Sequence, residues 1–279
     1  MPRVPRRAAP APVVTVCLLL LGLPALLPAA ELRFLRDDVE VRRLEREALR
    51  RDCGEQVVTV RDPYYETTKR FRACPLAAVL RLGFGELPRP GDDLVFRASD
   101  GYAKPVTAAR ALEPGGWLAF ADADRDGGFA PFGRQQIDPG PFYVVWNGPG
   151  QDDAHAWPWP YKLAEIVVTD VTRRWPRVVP RGVAVDSAAW RGFTIFRTEC
   201  IACHAVNGDG GTVGPELNVP RSIVEYRPVQ QVKAYVSDPA TFRYGNMPAN
   251  PHLTPADLDA LVAYFEVMKT QKHDPRAGR

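Results

Sequence analysis

The chain has 279 residues, 46% hydrophobic and 25% charged, with 28 prolines and a formal net charge of +3. That length holds two modest domains or one large one, and so many prolines imply many turns and connectors. Arg3, Arg6 and Arg7 at the start account for the positive balance; the remainder is near neutral, which gives no support to a nucleic-acid partner.

Residues 1–30 have the three-part layout of a signal peptide. A basic start precedes an apolar run from Val13 to Leu27 and a small-residue end, Pro28-Ala29-Ala30. The run is shorter than the ~20 residues that span a bilayer, and Pro24 interrupts it. We expect cleavage near Ala30, membrane contact only in transit, and a periplasmic protein. Cys17 falls in the leader, with Val16 before it, which argues against a lipoprotein attachment site. Cys53 and Cys74 are then either a disulfide suited to an oxidising compartment or two separate buried thiols.

Residues 31–172 read as an α+β domain. Leu32 to Leu35 and Val39 to Arg43 flank Asp37-Asp38 as a hairpin. Leu44 to Arg51 is a short charged helix. Val57 to Val60 and Thr67 to Phe71 are strands joined through Asp62-Pro63-Tyr64-Tyr65. Pro75 to Leu82 is helical, with proline in its first turn. Leu94-Val95-Phe96 is a strand ahead of the Asp100-Gly101 turn; Trp117 to Phe120, Phe142 to Trp146 and Leu163 to Val168 are further strands. Asp122 to Gly127 has carboxylates in calcium-loop positions, but Gly133 stands where a bidentate Glu belongs, so a solvated polar turn is expected. His155, among Trp157, Pro158, Trp159 and Pro160, reads as a surface or packed histidine.

Residues 173–185, with four arginines, two prolines and a glycine, read as an extended, solvated linker. Residues 186–272 form the second domain, followed by a tail at 273–279. Asp186 to Thr198 is a helix carrying Trp190, Phe193 and Phe196, in which Gly192 suggests close approach of another helix. It leads into Cys200-Ile201-Ala202-Cys203-His204, the spacing that attaches haem: each thiol forms a thioether with a porphyrin vinyl group, and His204 is held under the iron. A thioredoxin-like pair would leave His204 without a role, and a zinc site would need more ligands. Thr254-Pro255-Ala256-Asp257 is a strong helix start, and Leu258, Leu261, Val262, Phe265 and Met268 recur on one face of the helix it opens.

Two helices closing around such a motif resemble the all-α class I cytochrome c fold. The resemblance implies that Gly192 and Phe196 meet Leu261 and Tyr264, and that the carbonyl of Pro215, after Gly214, accepts the N–H of His204. It also implies a sixth iron ligand shortly before the last helix. Met247, pushed out of helical geometry by Pro248, fits that place better than His252, while Met268 belongs to the core. Arg243, Tyr244 and Tyr226 are candidates to bind the haem propionates. A six-coordinate iron favours one-electron transfer over catalysis.

The first domain resembles, in reduced form, the molybdopterin-binding domain of the sulfite oxidase family. The matching features are Cys74-Pro75-Leu76, Asp100-Gly101-Tyr102, Asp138-Pro139-Gly140-Pro141 and the strand Leu163 to Thr169. The chain is shorter than the family, and Cys53 or Cys74 would have to supply the thiolate to molybdenum. We therefore expect a docking module without molybdopterin that serves redox partner proteins in the periplasm. Two alternatives are a molybdenum-dependent oxidoreductase with its own haem acceptor and a haem-based sensor.

Overall fold

The protein is described by a computed structural model over residues 30–245 and 247–274. The expected leader therefore lies outside the described residues, apart from Ala30. Among the described residues no helix is long and apolar enough to cross a membrane.

The N-terminal region is a sheet-rich domain. In chain order it contains β1 (Glu31–Arg36), β2 (Val39–Glu45), α1 (Arg46–Asp52), β3 (Gln56–Asp62), β4 (Thr67–Pro75) and α2 (Leu76–Phe84). These are followed by β5 (Asp93–Ala98), β6 (Ala103–Thr107), α3 (Ala108–Ala111), β7 (Gly116–Asp122), β8 (Tyr143–Trp146) and β9 (Leu163–Thr169). One sheet has the order β2-β1-β9-β5-β6 and the other β3-β4-β7-β8. Every pairing is antiparallel except β1 with β9, which runs parallel with Phe34 opposite Ile166.

Side chains alternate across a strand, and the first sheet uses both faces. Leu32, Phe34, Leu94, Phe96, Ile166 and Val168 enter a core shared with α2 and the second sheet. Leu35, Val95 and Val167 point the other way, into a core built largely by the C-terminal region. β6 does not stand out in the sequence because Pro105 interrupts it; as the sheet edge it tolerates a residue without an N–H.

The C-terminal region begins with α4 (Val171–Arg174) and continues through α5 (Ala188–Ile195), the strand pair β10 (Ala205–Val206) and β11 (Asp209–Gly210), α6 (Ile223–Tyr226), α7 (Val229–Ser237) and α8 (Pro255–Met268). The region is helical, but the short antiparallel pair departs from an all-α domain. Ser187 caps α5, accepting from the Trp190 N–H at 3.2 Å. Thr254 and Asp257 cap α8 reciprocally.

The helices cross where a Cβ on Gly192 would lie 1.9 Å from the Ala260 carbonyl oxygen and 2.8 Å from Tyr264 Cβ. Ala260, rather than Leu261, therefore receives the glycine. The Phe196 and Tyr264 rings pack at 5.3 Å. Val262, assigned to the buried face by periodicity, is only half-buried, while Leu258, Leu261, Phe265 and Met268 are buried.

Residues 173–180 are not a solvated linker, although 181–185 are largely exposed. Trp175 and Val178 are buried, and the Tyr264 hydroxyl donates to the Val178 carbonyl at 2.7 Å. The Arg177 backbone N–H and guanidinium bind the buried Asp209 carboxylate at 2.9 and 2.7 Å. A buried charge persists when paired and hydrogen-bonded, so the basic stretch clamps the second domain.

Candidate functional site

Past Ile195, α5 widens into a π turn, Phe196–Cys200, with the Ile201 N–H on the Phe196 carbonyl at 2.9 Å. Such turns occur often at functional sites. Here it delivers Cys200 directly into the tight turn in which the Cys203 and His204 N–H groups share the Cys200 carbonyl at 3.1 and 2.9 Å. Cys200 and Cys203 are free thiols. Burial raises both, Cys200 to about 12 and Cys203 to about 11.

His204 Nδ1–H donates to the Pro215 carbonyl at 2.8 Å. That bond fixes the tautomer and turns Nε2 outward as a free donor to a metal. Burial lowers the His204 pKa, against a smaller opposing effect of the Pro215 carbonyl, and favours the neutral imidazole that ligation requires. The ring also needs space: a Cβ on Gly214 would lie 2.4 Å from its Cε1. A Cβ on Gly211 would meet the Ala202 carbonyl at 2.0 Å. Two free thiols, an oriented imidazole and a glycine-cleared ring face fit the iron and vinyl groups of haem.

Met247 is half-buried in the loop between α7 and α8. The loop is tied to α7 by Asn250, whose Nδ2 donates to the Val236 carbonyl at 3.0 Å and whose N–H donates to the Ser237 carbonyl at 3.1 Å. Met268 is 1% exposed, within the core. His252 Nε2 lies 3.6 Å from Glu199 Oε2. Arg243 Nε donates to the Tyr235 hydroxyl at 2.9 Å, and Arg134 of the first domain lies over the Tyr244 ring at 5.6 Å. Tyr226 is exposed between Arg221 and Arg227.

The first domain takes part in this site, which its sequence did not announce. The Ala103 N–H donates to the Ala202 carbonyl at 2.8 Å, and the Thr212 N–H to the Gly101 carbonyl at 2.9 Å. Lys104 Nζ donates to the Thr198 carbonyl at 2.5 Å. Tyr102 and Tyr161 are held above the usual phenol range, chiefly by burial and in part by proximity to Asp100 and Cys203. The haem motif is thus braced by a wall from the other domain.

Elsewhere in that domain, Cys53 and Cys74 form a disulfide, with Cα atoms 5.8 Å apart. Both sulfurs are therefore engaged, Cys74 is fully buried, and neither residue offers molybdenum a thiolate. The two cysteines singled out as molybdenum ligands therefore do not fit that role. Asp122 is not part of a solvated turn: it is buried, and its Oδ2 accepts from Lys69 Nζ at 3.0 Å and the Ala130 N–H at 2.9 Å. Trp159 is core, and the indole N–H of Trp146 donates to the Pro158 carbonyl at 2.7 Å.

Helices crossing on a glycine, the Cys-x-x-Cys-His turn and the carbonyl-bound histidine define a cytochrome c domain in the C-terminal region. The comparisons agree. The family model described as cytochrome c matches residues 189–269. The chain is also 33% identical over 95 residues to "Cytochrome c oxidase subunit 2" of Alkalihalophilus pseudofirmus. That stretch is 31% of this chain and 28% of the relative. The N-terminal sheet domain lies outside the family match.

Proposed function

We propose that this chain is an exported one-electron carrier with one haem, bound covalently through Cys200 and Cys203 and ligated by His204 and Met247. Haem supplies the Fe(III)/Fe(II) couple. The carrying observation is the bond from His204 Nδ1 to Pro215, 2.8 Å, which presents Nε2 as a ligand in a fixed direction. With haem bound, the Met247 thioether would raise the potential relative to a second imidazole and would leave the iron no open position for small ligands. The similarity to part of an oxidase subunit supports electron transfer. The Cys53–Cys74 disulfide supports an oxidising compartment, in line with a periplasmic location.

The N-terminal domain acts as the docking module. Gly101 to Lys104 stand against the motif turn, so the domain that carries them flanks the haem motif and decides which redox partner approaches from that side. A molybdenum-dependent oxidoreductase is the weaker reading, because the disulfide occupies both candidate thiolates.

The test is Met247→Ala. The variant should have a lower reduction potential and bind carbon monoxide when reduced, whereas the parent protein should not. His252→Ala should match the parent in both. An unchanged potential and no carbon monoxide binding in the Met247 variant would remove methionine from the iron.

A further inference from the structure

Three side chains from distant parts of the chain converge beside the motif without belonging to it. His155 comes from the loop between β8 and β9, Glu199 from the π turn, and His252 from the loop before α8. Their ligand atoms all lie within 4.8 Å of one another. Glu199 Oε2 is 3.2 Å from His155 Nδ1 and 3.6 Å from His252 Nε2. The two imidazole rings are 4.5 Å apart, centroid to centroid, at 59°.

A hydrogen bond accounts for the first distance but not the second, which exceeds ordinary N–H···O geometry. Two imidazole nitrogens instead converge on one carboxylate oxygen. Zinc binds imidazole nitrogen and carboxylate oxygen at about 2.0–2.2 Å, which sets tetrahedral donors roughly 3.3 Å apart. The 3.2 and 3.6 Å separations bracket that spacing.

The supports are in place as well. The His155 N–H is held by Asp153 Oδ1 at 2.9 Å. The Glu199 side chain is only 13% exposed, whereas the two histidines are 43% and 41% exposed, which leaves an entry path for an ion. Buried Lys104, whose ammonium donates to the Thr198 carbonyl, is a positive charge close enough to act on Glu199.

We propose that His155, Glu199 and His252 form a binding site for one divalent transition-metal ion, of the zinc class, that ties the N-terminal domain to the haem-motif segment. Two imidazoles and a carboxylate are intermediate donors that prefer such ions to magnesium or calcium. Three protein ligands leave one position for water. The ion would fasten the 148–160 loop to the second domain.

The experiment uses the full-length haem-loaded protein, stripped with chelator and titrated with zinc chloride by calorimetry. One equivalent per chain is expected. His155→Ala and His252→Ala should each weaken binding at least roughly 10-fold, since even outer partners of metal ligands are worth that much. His273→Ala should bind as the parent does, and the haem absorption spectrum should stay the same in every variant. Absence of a stoichiometric site in the parent would overturn the proposal. So would parental affinity in the His155→Ala, His252→Ala double variant. A changed haem spectrum in the His252 variant would instead assign that residue to the iron.

Discussion

Cys53 closes α1 and Cys74 lies near the end of β4, so their bond spans 21 residues of chain. A loop of that length restricts the unfolded chain enough to contribute about 3 kcal/mol. Cys53→Ala with Cys74→Ala should lower unfolding stability by that order in guanidinium titration. Equal midpoints with and without the bridge would contradict it. Other residues differ in how legible they are. Cys200, Cys203 and His204 could be picked out because their chemistry demands fixed spacing along the chain, whereas Pro215 came only with the family resemblance. Nothing local marks Tyr102, Lys104 or Thr212 as neighbours of that motif. The same holds for His155, 44 residues from Glu199, because the pairing exists only once β-strands from one domain meet the turn of the other.

At the scale of elements, the crossing of α5 and α8 sets the site. A side chain at Gly192 would drive into the Ala260 backbone, which belongs to a capped helix and cannot yield cheaply. Gly192→Ala should cost about 1–3 kcal/mol as overpacking, read from thermal and denaturant unfolding; a neutral substitution would show that α8 slides freely. The sequence marks α8 well, since cap, proline and apolar period coincide. It marks the end of α5 poorly, because a π turn has no compositional signature. Helices α6 and α7 are also hard to read: one is four residues long, and the other has no fully buried residue to set a period.

At the scale of the molecule, the first sheet is covered on both faces, once by its own domain and once by Phe193, Phe196, Leu261 and Tyr264 of the other. Domains joined by a solvated linker would unfold separately. A shared core with Trp175 and Val178 packed inside it should give one cooperative calorimetric transition. Two well-separated transitions would dissolve this architecture into independent modules. The expected boundary at 173–185 rests on prolines and arginines, and composition does not reveal that Asp209 waits for Arg177.

The parallel pairing of β1 with β9 has a consequence in time. Arg33 and Glu165 are 132 residues apart, so the central rung of the sheet closes only after almost the whole first domain has been made. Such non-local pairing is slow because loop-closure entropy is lost before contacts compensate it. Leu35, Val95 and Val167 then wait for a core whose members extend to α8, the last helix among the described residues. A nascent chain therefore passes through a stage in which a formed sheet shows an apolar face to solvent. Self-association competes with completion throughout that interval.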